Sequence, residues 1–366
     1  MDRHELLIAY GDDPDVLLPR LLAAADLPSW LPRDVRIGLK PNLVVARPSS
    51  TGATTDPRLV RALIAWLRAL GCRDLVILEG SWLGEATPRA FRECGYEEIA
   101  REFDVPLIDL KHDATETCLA HDLHLEVCRQ ARQIGFLINL PVLKAHCQTR
   151  MTCALKNLKG CIPDAEKRRF HTLGLHRPIA VLNTLVRTDL VIVDGIVGDL
   201  TFEEGGTPVR MDRLIVGRDP VLVDAYVASL MGFAPGDIPY IDLAAELGVG
   251  SNDLAVARLR QINEPAVAPH ALTASPAPLP ANVIADQACS ACLGSLRFAL
   301  QRLSEEGRSW APDAEPICLG QGFRGRPRSG FGVGACTAGF AHHLPGCPPL
   351  ATEIIEFLRH PPTKRW

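Results

Sequence analysis

The chain has 366 residues and a formal net charge of −4, from 39 basic and 43 acidic side chains. Apolar residues make up 47% of it, which is enough for a real core and excludes a disordered or fibrous protein. The slight acidic excess offers no basic surface for phosphates, so we expect no nucleic acid partner.

Strands alternate with helices along the first two-thirds of the chain. Two Asp-Pro pairs, at Asp56 and Asp219, are typical of an N-cap followed by proline at the first helical position. The pattern predicts an α/β fold with a mostly parallel open sheet and helices on both faces. Strands are expected at 35–43, 74–80, 105–110, 134–144 and 189–198, and helices at 57–70, near 88–94 and at 220–231.

The periodicity is lost in the segment EPAVAPHALTASPAPLP, residues 264–280, where Pro, Ala and Ser dominate. Such a composition predicts a linker. We therefore expect a main α/β domain at 1–263 and a small C-terminal cysteine-bearing α+β domain at 281–366. The small domain should contain the strands NVIAD and EPICLGQG, a helix from residue 289 and a final helix at TEIIEFLRH.

The N-terminal segment MDRHELLIAYGDDPD lacks the apolar core of a signal peptide. The apolar runs are also far shorter than the roughly 20 residues of a membrane-spanning helix. We therefore expect a cytoplasmic protein with no membrane partner, although the oligomeric state is left open. The twelve cysteines are then expected to be free thiols or metal ligands rather than disulfides.

Four of the five cysteines after residue 285 form a candidate metal site. Cys289 and Cys292 open a predicted helix, while Cys336 lies among glycines and Cys347 precedes two prolines. Four thiolates suit a [4Fe-4S] cluster or a structural zinc ion, and the Gly-Cys-Pro-Pro ending favours iron–sulfur over zinc or an empty site. The fifth, Cys318, lies in an apolar strand and is interpreted as a small buried hydrophobe.

Polar loops follow several of the predicted strands. Open α/β sheets bind their ligands in this position, at the carboxyl ends of the strands. We expect three loop lysines, Lys40, Lys144 and Lys156, to converge at this edge and bind a small anionic substrate, a carboxylate or a phosphate. The alternative is that they are ordinary solvated charges. His146 is a candidate acid/base group or metal ligand, and Glu79 a candidate base or ligand. The alternatives are a hydrogen-bonded loop histidine and a surface carboxylate.

Two smaller interpretations concern other residues of the main domain. A second metal site is a minor alternative to free thiols for three cysteines that lie close together in the sequence, Cys147, Cys153 and Cys161. Asp219 is interpreted as a helix cap with no catalytic role.

A series of motifs, in order, resembles the domain-of-unknown-function 362 family. They are KPNL (40–43), LEG (78–80), INLPVLKAH (138–146), ALKNLKG (154–160), IVDGIVG (192–198) and RDPVLVDAYVASLMG (218–232). The resemblance covers about residues 35–250 and implies an iron–sulfur association, because members are often described as cluster proteins with a ferredoxin-like segment. This chain lacks the eight-cysteine ferredoxin run, so its four C-terminal cysteines would have to hold a single cluster. The residues that match the family motifs are Lys40, Asn42, Asn139, Lys144, His146, Lys156 and Asn157. All of them except His146, the candidate catalytic residue, become candidate substrate-binding residues.

The sequence leaves three functions open. The leading hypothesis is an iron–sulfur oxidoreductase acting on a small anionic metabolite, in which the lysines bind charge and His146 or Glu79 moves protons. This oxidoreductase would exchange electrons with a redox partner protein. The second hypothesis is an electron-transfer or cluster-handling module without its own catalysis. The third is a zinc-stabilised lyase or isomerase that uses the same cleft.

Overall fold

The computed structural model of the protein describes residues 1–265, 272, 279–308, 310, 315–326 and 328–359. The chain forms two compact units, one of Met1–Lys167 with Leu175–Ser275 and one of Arg168–Gly174 with Pro276–Trp366. The domain boundaries expected at 263 and 281 stay predictions, because most of the expected linker lies outside the described residues.

The first unit contains one large sheet and two hairpins. Strands β5 and β6 pair antiparallel, as do β8 and β9. The large sheet has the order β12-β1-β11-β10-β7-β2-β3-β4. The strands are β1 Glu5–Tyr10, β2 Ile37–Pro41, β3 Leu75–Glu79, β4 Leu107–Asp109, β5 Thr115–Ala120, β6 Leu123–Cys128, β7 Phe136–Leu140, β8 Lys144–His146, β9 Arg150–Thr152, β10 Leu190–Asp199, β11 Pro208–Gly217 and β12 Arg258–Gln261.

The prediction of a mostly parallel open sheet is confirmed. Neighbouring strands of the large sheet are parallel except around β11, which pairs antiparallel with both β1 and β10. The sequence analysis identified neither β1 nor β11. The strand expected at 134–144 is also wrong in extent, since β7 ends at Leu140 and β8 begins at Lys144. Pro141 lies between them and has no backbone N–H to continue a ladder.

Aspartate caps begin three of the longer helices of the first unit. The side chain of Asp13 accepts a hydrogen bond from Asp15 N, as Asp56 does from Arg58 N. Asp219 accepts from Val221 N and Leu222 N, which confirms it as a helix cap. The α-helices of residues 1–265 are α1 Pro14–Ala24, α2 Leu27–Trp30, α3 Pro57–Ala69, α4 Thr87–Glu93, α5 Tyr96–Phe103, α6 Arg129–Arg132, α7 Ala154–Asn157, α8 Asp164–Leu173, α9 His176–Leu185, α10 Pro220–Leu230 and α11 Pro239–Glu246. The residues of α8 from Arg168 onward belong to the second unit.

Both faces of the large sheet are buried along its inner strands, whereas the edge strand β12 is exposed along its whole length. Leu7 of β1 packs in one apolar cluster with Leu18 of α1 and Leu63 of α3. Leu6 and Ile8 are equally buried, although successive side chains of a strand point to opposite faces. Continuous burial along a strand is typical of a sheet covered by helices on both faces, as predicted.

The second unit has its own small sheet and core. Its strands β13 Val283–Ala285, β14 Ile317–Leu319, β15 Phe331–Val333 and β16 His342–Leu344 lie in chain order and pair in parallel. Its helices are α12 Ser290–Glu305 and α13 Ala351–Arg359. Cys318 is fully buried against Phe323 and Phe340, which agrees with its interpretation as a core residue.

Candidate functional site

A buried ion pair lies at the carboxyl ends of β2 and β3. Lys40 Nζ lies 2.7 Å from Glu79 Oε1, and both side chains are buried. Glu79 also accepts hydrogen bonds from the backbone N–H groups of Leu43, at 2.8 Å, and Gly80, at 2.7 Å. The alternative of a surface carboxylate at Glu79 is therefore wrong.

Gly160 packs directly against this ion pair. A Cβ atom at that position would collide with Glu79 Oε1 and would lie 2.7 Å from Lys40 Nζ. The glycine that ends the ALKNLKG motif is therefore required by close packing. It brings the α7 segment against the carboxyl ends of β2 and β3.

The three candidate asparagines form one hydrogen-bonded chain. Asn42 Nδ2 donates to Asn157 Oδ1 at 2.9 Å, and Asn157 Nδ2 donates to Asn139 Oδ1 at 2.7 Å. Asn139 Nδ2 then donates to the carbonyl of Ala154 at 2.9 Å. The structure thus brings together the KPNL, INLPVLKAH and ALKNLKG motifs, because each contributes an amide to the same network.

Lys144 is a buried member of this network. Its Nζ donates to Asn42 Oδ1 at 2.9 Å, to the carbonyl of Glu203 at 2.8 Å and to the carbonyl of Ala53. Burial and, after it, the positive charge of Lys156 lower the pKa of Lys144 to about 7. The expectation of a loop lysine outside the core is wrong, since Lys144 lies in β8 and is 1% exposed.

Lys156 differs from the other two candidate lysines. It is half-buried, and in the described part of the chain its ammonium donates only to Thr152 Oγ1, at 3.3 Å. Burial lowers the pKa of Lys156 to about 8, although Glu203 and Cys147 oppose that shift. Of the three lysines, Lys156 has the most donor capacity left for an anion.

His146, Cys147 and Glu203 form a buried cluster beside Lys144. Glu203 Oε1 lies 3.5 Å from His146 Nε2 and 2.9 Å from the sulfur of Cys147. One nitrogen, sulfur or oxygen atom from each residue lies within 4.8 Å of the other two. A histidine, a cysteine and a carboxylate together are a donor set for a transition-metal ion.

The other two cysteines of the alternative second metal site, Cys153 and Cys161, lie in other surroundings. Cys153 shares a hydrogen bond with the Asp224 carboxyl, which also accepts from Ala154 N at 2.7 Å. Cys161 lies near the Lys40–Glu79 pair, and burial is the main cause that raises its pKa to about 12. Only Cys147 joins the His146 and Glu203 cluster.

The sequence analysis missed Glu203. It lies in the loop after β10, where Asp199 accepts hydrogen bonds from Thr201 N, Phe202 N and Thr207 N at 2.7–2.9 Å. Its local sequence, DLTFEEGG, predicts a loop closed by the aspartate but does not indicate which residues Glu203 would approach.

The four C-terminal cysteines lie around the carboxyl edge of the small sheet. Cys289 and Cys292 follow β13 at the start of α12, Cys336 follows β15, and Cys347 follows β16. Burial, and then the charges of the three other sulfurs, raise the pKa of the Cys292 thiol well above its usual range. The Cys292 thiol thus responds to the charge of each of the other three sulfurs.

Two features of this edge are compatible with a metal cofactor. Gly334 has φ +91°, and a Cβ there would lie 3.5 Å from the sulfur of Cys292. Arg324 Nε lies 3.4 Å from the sulfur of Cys336, and Gln321 Nε2 lies 3.8 Å from that of Cys289. Polar N–H groups next to thiolates are typical of metal–sulfur centres. These residues fit a metal cofactor.

The fold and the candidate site define an α/β protein with polar loops at the carboxyl edge of a mostly parallel sheet. A family model described as "Domain of unknown function (DUF362)" matches residues 37–229, and the chain belongs to this family. The matched segment contains the asparagine network, the lysines and Glu203, whereas the four C-terminal cysteines lie outside it.

Two comparisons give further similarities. The chain is 28% identical over 232 residues to the thylakoid-associated protein sll1697 of Synechocystis, covering 60% of this chain and 70% of that protein. It also matches the structure of the lactate racemase apoprotein from Thermoanaerobacterium thermosaccharolyticum with a TM-score of 0.40 and 10% identity. That match covers 62% of this chain and 57% of the racemase. Among the described residues, no helix has the length and apolarity to cross a membrane.

Proposed function

We propose that the protein is an iron–sulfur oxidoreductase whose Cys289, Cys292, Cys336 and Cys347 hold one [4Fe-4S] cluster. Its substrate would be a small anionic metabolite bound at the carboxyl edge of the large sheet. The observation that carries the proposal is the placement of all four cysteines around one edge of the small parallel sheet. The cluster, when bound, would supply a one-electron donor and acceptor.

The spacing of the sulfurs supports a cluster over a single zinc ion. With Zn–S bonds of about 2.3 Å, four thiolates around zinc lie roughly 3.8 Å apart. Within the described ranges, the set of three donors that all lie within 4.8 Å of one another is the one at His146, Cys147 and Glu203. Among the described residues, no three of the four C-terminal sulfurs are this close together, which is compatible with an inorganic core larger than one zinc ion.

The substrate side of the proposal rests on Lys156. A half-buried ammonium with one long hydrogen bond can bind a carboxylate or phosphate more strongly than a fully solvated one, because less water screens the pair. Lys40 and Lys144 would then act by holding the surrounding loops. His146 and Glu79 remain the proposed proton-transfer groups, with Glu79 held by Lys40.

One observation favours the second candidate function, an electron-transfer or cluster-handling module. Lys40 donates to Glu79 and Pro41, and all three donors of Lys144 are used by protein oxygens. Two of the three cationic side chains thus serve the fold itself. A module without catalysis would need only the cluster and a docking partner.

We also propose the cytoplasm as the location. None of the twelve cysteines forms a disulfide, and cysteines without disulfides in this number are typical of proteins in a reducing compartment. An oxidation that releases two electrons would need a further acceptor besides a one-electron cluster, so the proposal includes a redox partner protein.

Anaerobic turnover measurements test the oxidoreductase. The full-length protein is mixed with an electron-accepting dye and with small hydroxy acids, oxo acids or phosphorylated metabolites in turn. We expect at least one anion to drive dye reduction, and Lys156→Met to lower that rate while dithionite still reduces the cluster normally. Cluster-loaded protein that turns over none of these anions would contradict the oxidoreductase and support the electron-transfer module.

A further inference from the structure

We propose that Arg324, Arg326 and Arg328 form the docking surface for an acidic electron-carrier protein. All three side chains of this arginine strip are exposed, and they belong to one short loop between β14 and β15. The inference deepens the proposed function, on which it rests for the electron transfer itself, because it gives the class of the redox partner and the place where it binds. The docking contact is testable without the cluster.

The first arginine of the strip lies next to a candidate cluster ligand. Arg324 Nε is 3.4 Å from the sulfur of Cys336. Arg324 follows the carboxyl end of β14, and Cys336 follows the carboxyl end of the neighbouring strand β15. A protein that contacts Arg324 therefore comes close to the four cysteines. Electron transfer between two proteins requires such a short distance between their redox centres.

The other two arginines of the strip have no internal countercharge. Ion pairs on α12 and α13 join Arg302 to Glu305 and Arg359 to Glu306. Among the described residues, no carboxylate forms an ion pair with Arg326 or Arg328. The guanidinium of Arg328 lies over the buried Phe323 ring, with its Cζ 5.7 Å from the ring centre. The charges of both arginines thus remain available to carboxylates of another protein.

The charge of the chain is unevenly distributed along the sequence. Residues 281–366 contain nine Lys and Arg and seven Asp and Glu, whereas the whole chain has an acidic excess of four. Helix α12 connects the parallel strands β13 and β14, so it must run from the carboxyl edge of the small sheet back to the amino edge. Glu305 and Glu306 at the end of α12 therefore lie away from the edge where the strip begins.

The composition of the strip favours a protein partner over a membrane. Guanidinium groups bind carboxylates in a planar, bidentate geometry, and acidic protein surfaces present many carboxylates. Basic segments that bind anionic lipids contain about four to eight Lys and Arg. The strip has three arginines, and its aromatic neighbour Phe323 is buried in the core of the second unit. Weak electron-transfer complexes have small interfaces, for which a few steering charges suffice.

Binding of an acidic electron carrier to the full-length protein tests the docking surface. The probe is an oxidised plant-type [2Fe-2S] ferredoxin, an acidic protein, and titration calorimetry at low ionic strength gives the dissociation constant. We expect Arg326→Glu to raise this constant roughly tenfold, because an attractive contact becomes repulsive. The matched control is Arg308→Glu, which makes the same charge change at an exposed position after α12. Its effect should be less than about twofold.

Salt and vesicles complete the binding test. The difference between wild type and Arg326→Glu should nearly vanish at about 1 M salt, where charges further apart than about 3 Å are screened. Wild type that binds no ferredoxin at low salt, or equal weakening by Arg326→Glu and Arg308→Glu, would overturn the proposal. Sedimentation of wild type with phosphatidylserine vesicles, lost in Arg326→Glu, would also overturn it, because the strip would then bind a membrane.

Rapid mixing of the cluster-loaded protein with ferredoxin tests electron transfer across the same surface. Mixing is done in the direction that the measured reduction potentials favour, so that one electron leaves the reduced centre of one protein and enters the oxidised centre of the other. The second-order rate constant at low salt should fall roughly tenfold in Arg326→Glu, while the midpoint potential stays unchanged. Equal rates in wild type and Arg326→Glu would overturn the proposal. Ferredoxin binding that needs Arg326, in a protein without a reducible centre, would support the docking surface and contradict only the proposed function.

Discussion

The ammonium of Lys144 donates a hydrogen bond to the backbone carbonyl of Glu203 at 2.8 Å, across 59 residues of sequence. The same ammonium donates to the carbonyl of Ala53 and to Asn42 Oδ1. One side chain thus ties two points of the β2–α3 loop to the β10–β11 loop. This structural role accounts for the lysine at position 144 of the INLPVLKAH motif, whether or not its side chain also contacts a ligand.

Replacement of Lys144 by methionine should destabilise the first unit. Three buried oxygen acceptors would lose their donor, and each unsatisfied buried group costs about 1–3 kcal/mol. Lys156→Met is the matched control, because Lys156 is half-buried with one long hydrogen bond, and its effect should be below about 1 kcal/mol. Urea unfolding measures both. Equal losses of stability would show that Lys144 does not tie the loops together.

The Lys40–Glu79 pair should show strong energetic coupling. Glu79→Gln leaves the buried Lys40 ammonium without its countercharge, and removal of one partner of a buried pair costs about 3–5 kcal/mol. Lys40→Met should have a similar cost, whereas the double variant should lose much less than the sum. A double-mutant cycle by chemical denaturation provides the coupling. Additive single effects would contradict a tight internal pair.

Asp224 should make stability depend on pH below neutrality. Burial raises the pKa of Asp224 to about 7 in the folded chain, against 3.8 for an ordinary aspartate. Between these values the folded state keeps a proton that the unfolded state has lost. The contribution of this group to stability is therefore full below pH 3.8 and decreases as the pH rises to 7, by at most about 1.4 kcal/mol per pH unit.

The Asp224→Asn variant isolates this contribution, since asparagine does not titrate. We expect the stability of wild type relative to Asp224→Asn to fall between pH 4 and 7 and to be constant above pH 7. Urea unfolding at several pH values measures it. A difference that is flat or that increases over this range would mean that Asp224 has no raised pKa.

An anion should stabilise the protein through Lys156. Ligand present at a hundredfold excess over its dissociation constant stabilises the folded state by about 2.7 kcal/mol. A thermal-shift screen of phosphate, sulfate and small carboxylates should find at least one stabilising anion, and Lys156→Met should remove the response. Arg20→Met, a change at a distant surface cation, should keep it. Loss of the response in both variants, or in neither, would argue against an anion site at Lys156.

The sequence predicted the carboxyl edge of the large sheet better than its antiparallel part. Continuous apolar runs and Asp-Pro caps revealed β2, β3, β7 and β10, and the polar residues after these strands do meet in the asparagine network. Strand β11 has the sequence PVRMDRLIVG, whose first half alternates charged and apolar residues, so it lacks a continuous apolar run. The Asp13-Pro14 pair carried the same cap signal as Asp56-Pro57 and would have revealed α1.

Glu203 could not be found from its local sequence alone. Carboxylates in glycine-containing loops usually face solvent, and no spacing rule links residue 203 to residues 146 and 147. Their proximity depends on the turn at Asp199 and on the antiparallel pairing of β10 with β11, which the sequence did not reveal. The burial of Lys144 was missed for the same reason, because the loop that covers it comes from the same part of the chain.

The iron and acid-labile sulfide content of the anaerobically purified protein decides whether the four C-terminal cysteines hold an iron–sulfur cluster. We predict about four of each per chain, as a [4Fe-4S] cluster requires, together with a brown colour and an EPR signal after reduction. Cys289→Ser and Cys347→Ser should lose them, whereas Cys318→Ser, a change in the core of the second unit, should keep them. Colourless protein with stoichiometric zinc at the four cysteines, or iron lost only from Cys318→Ser, would contradict the account.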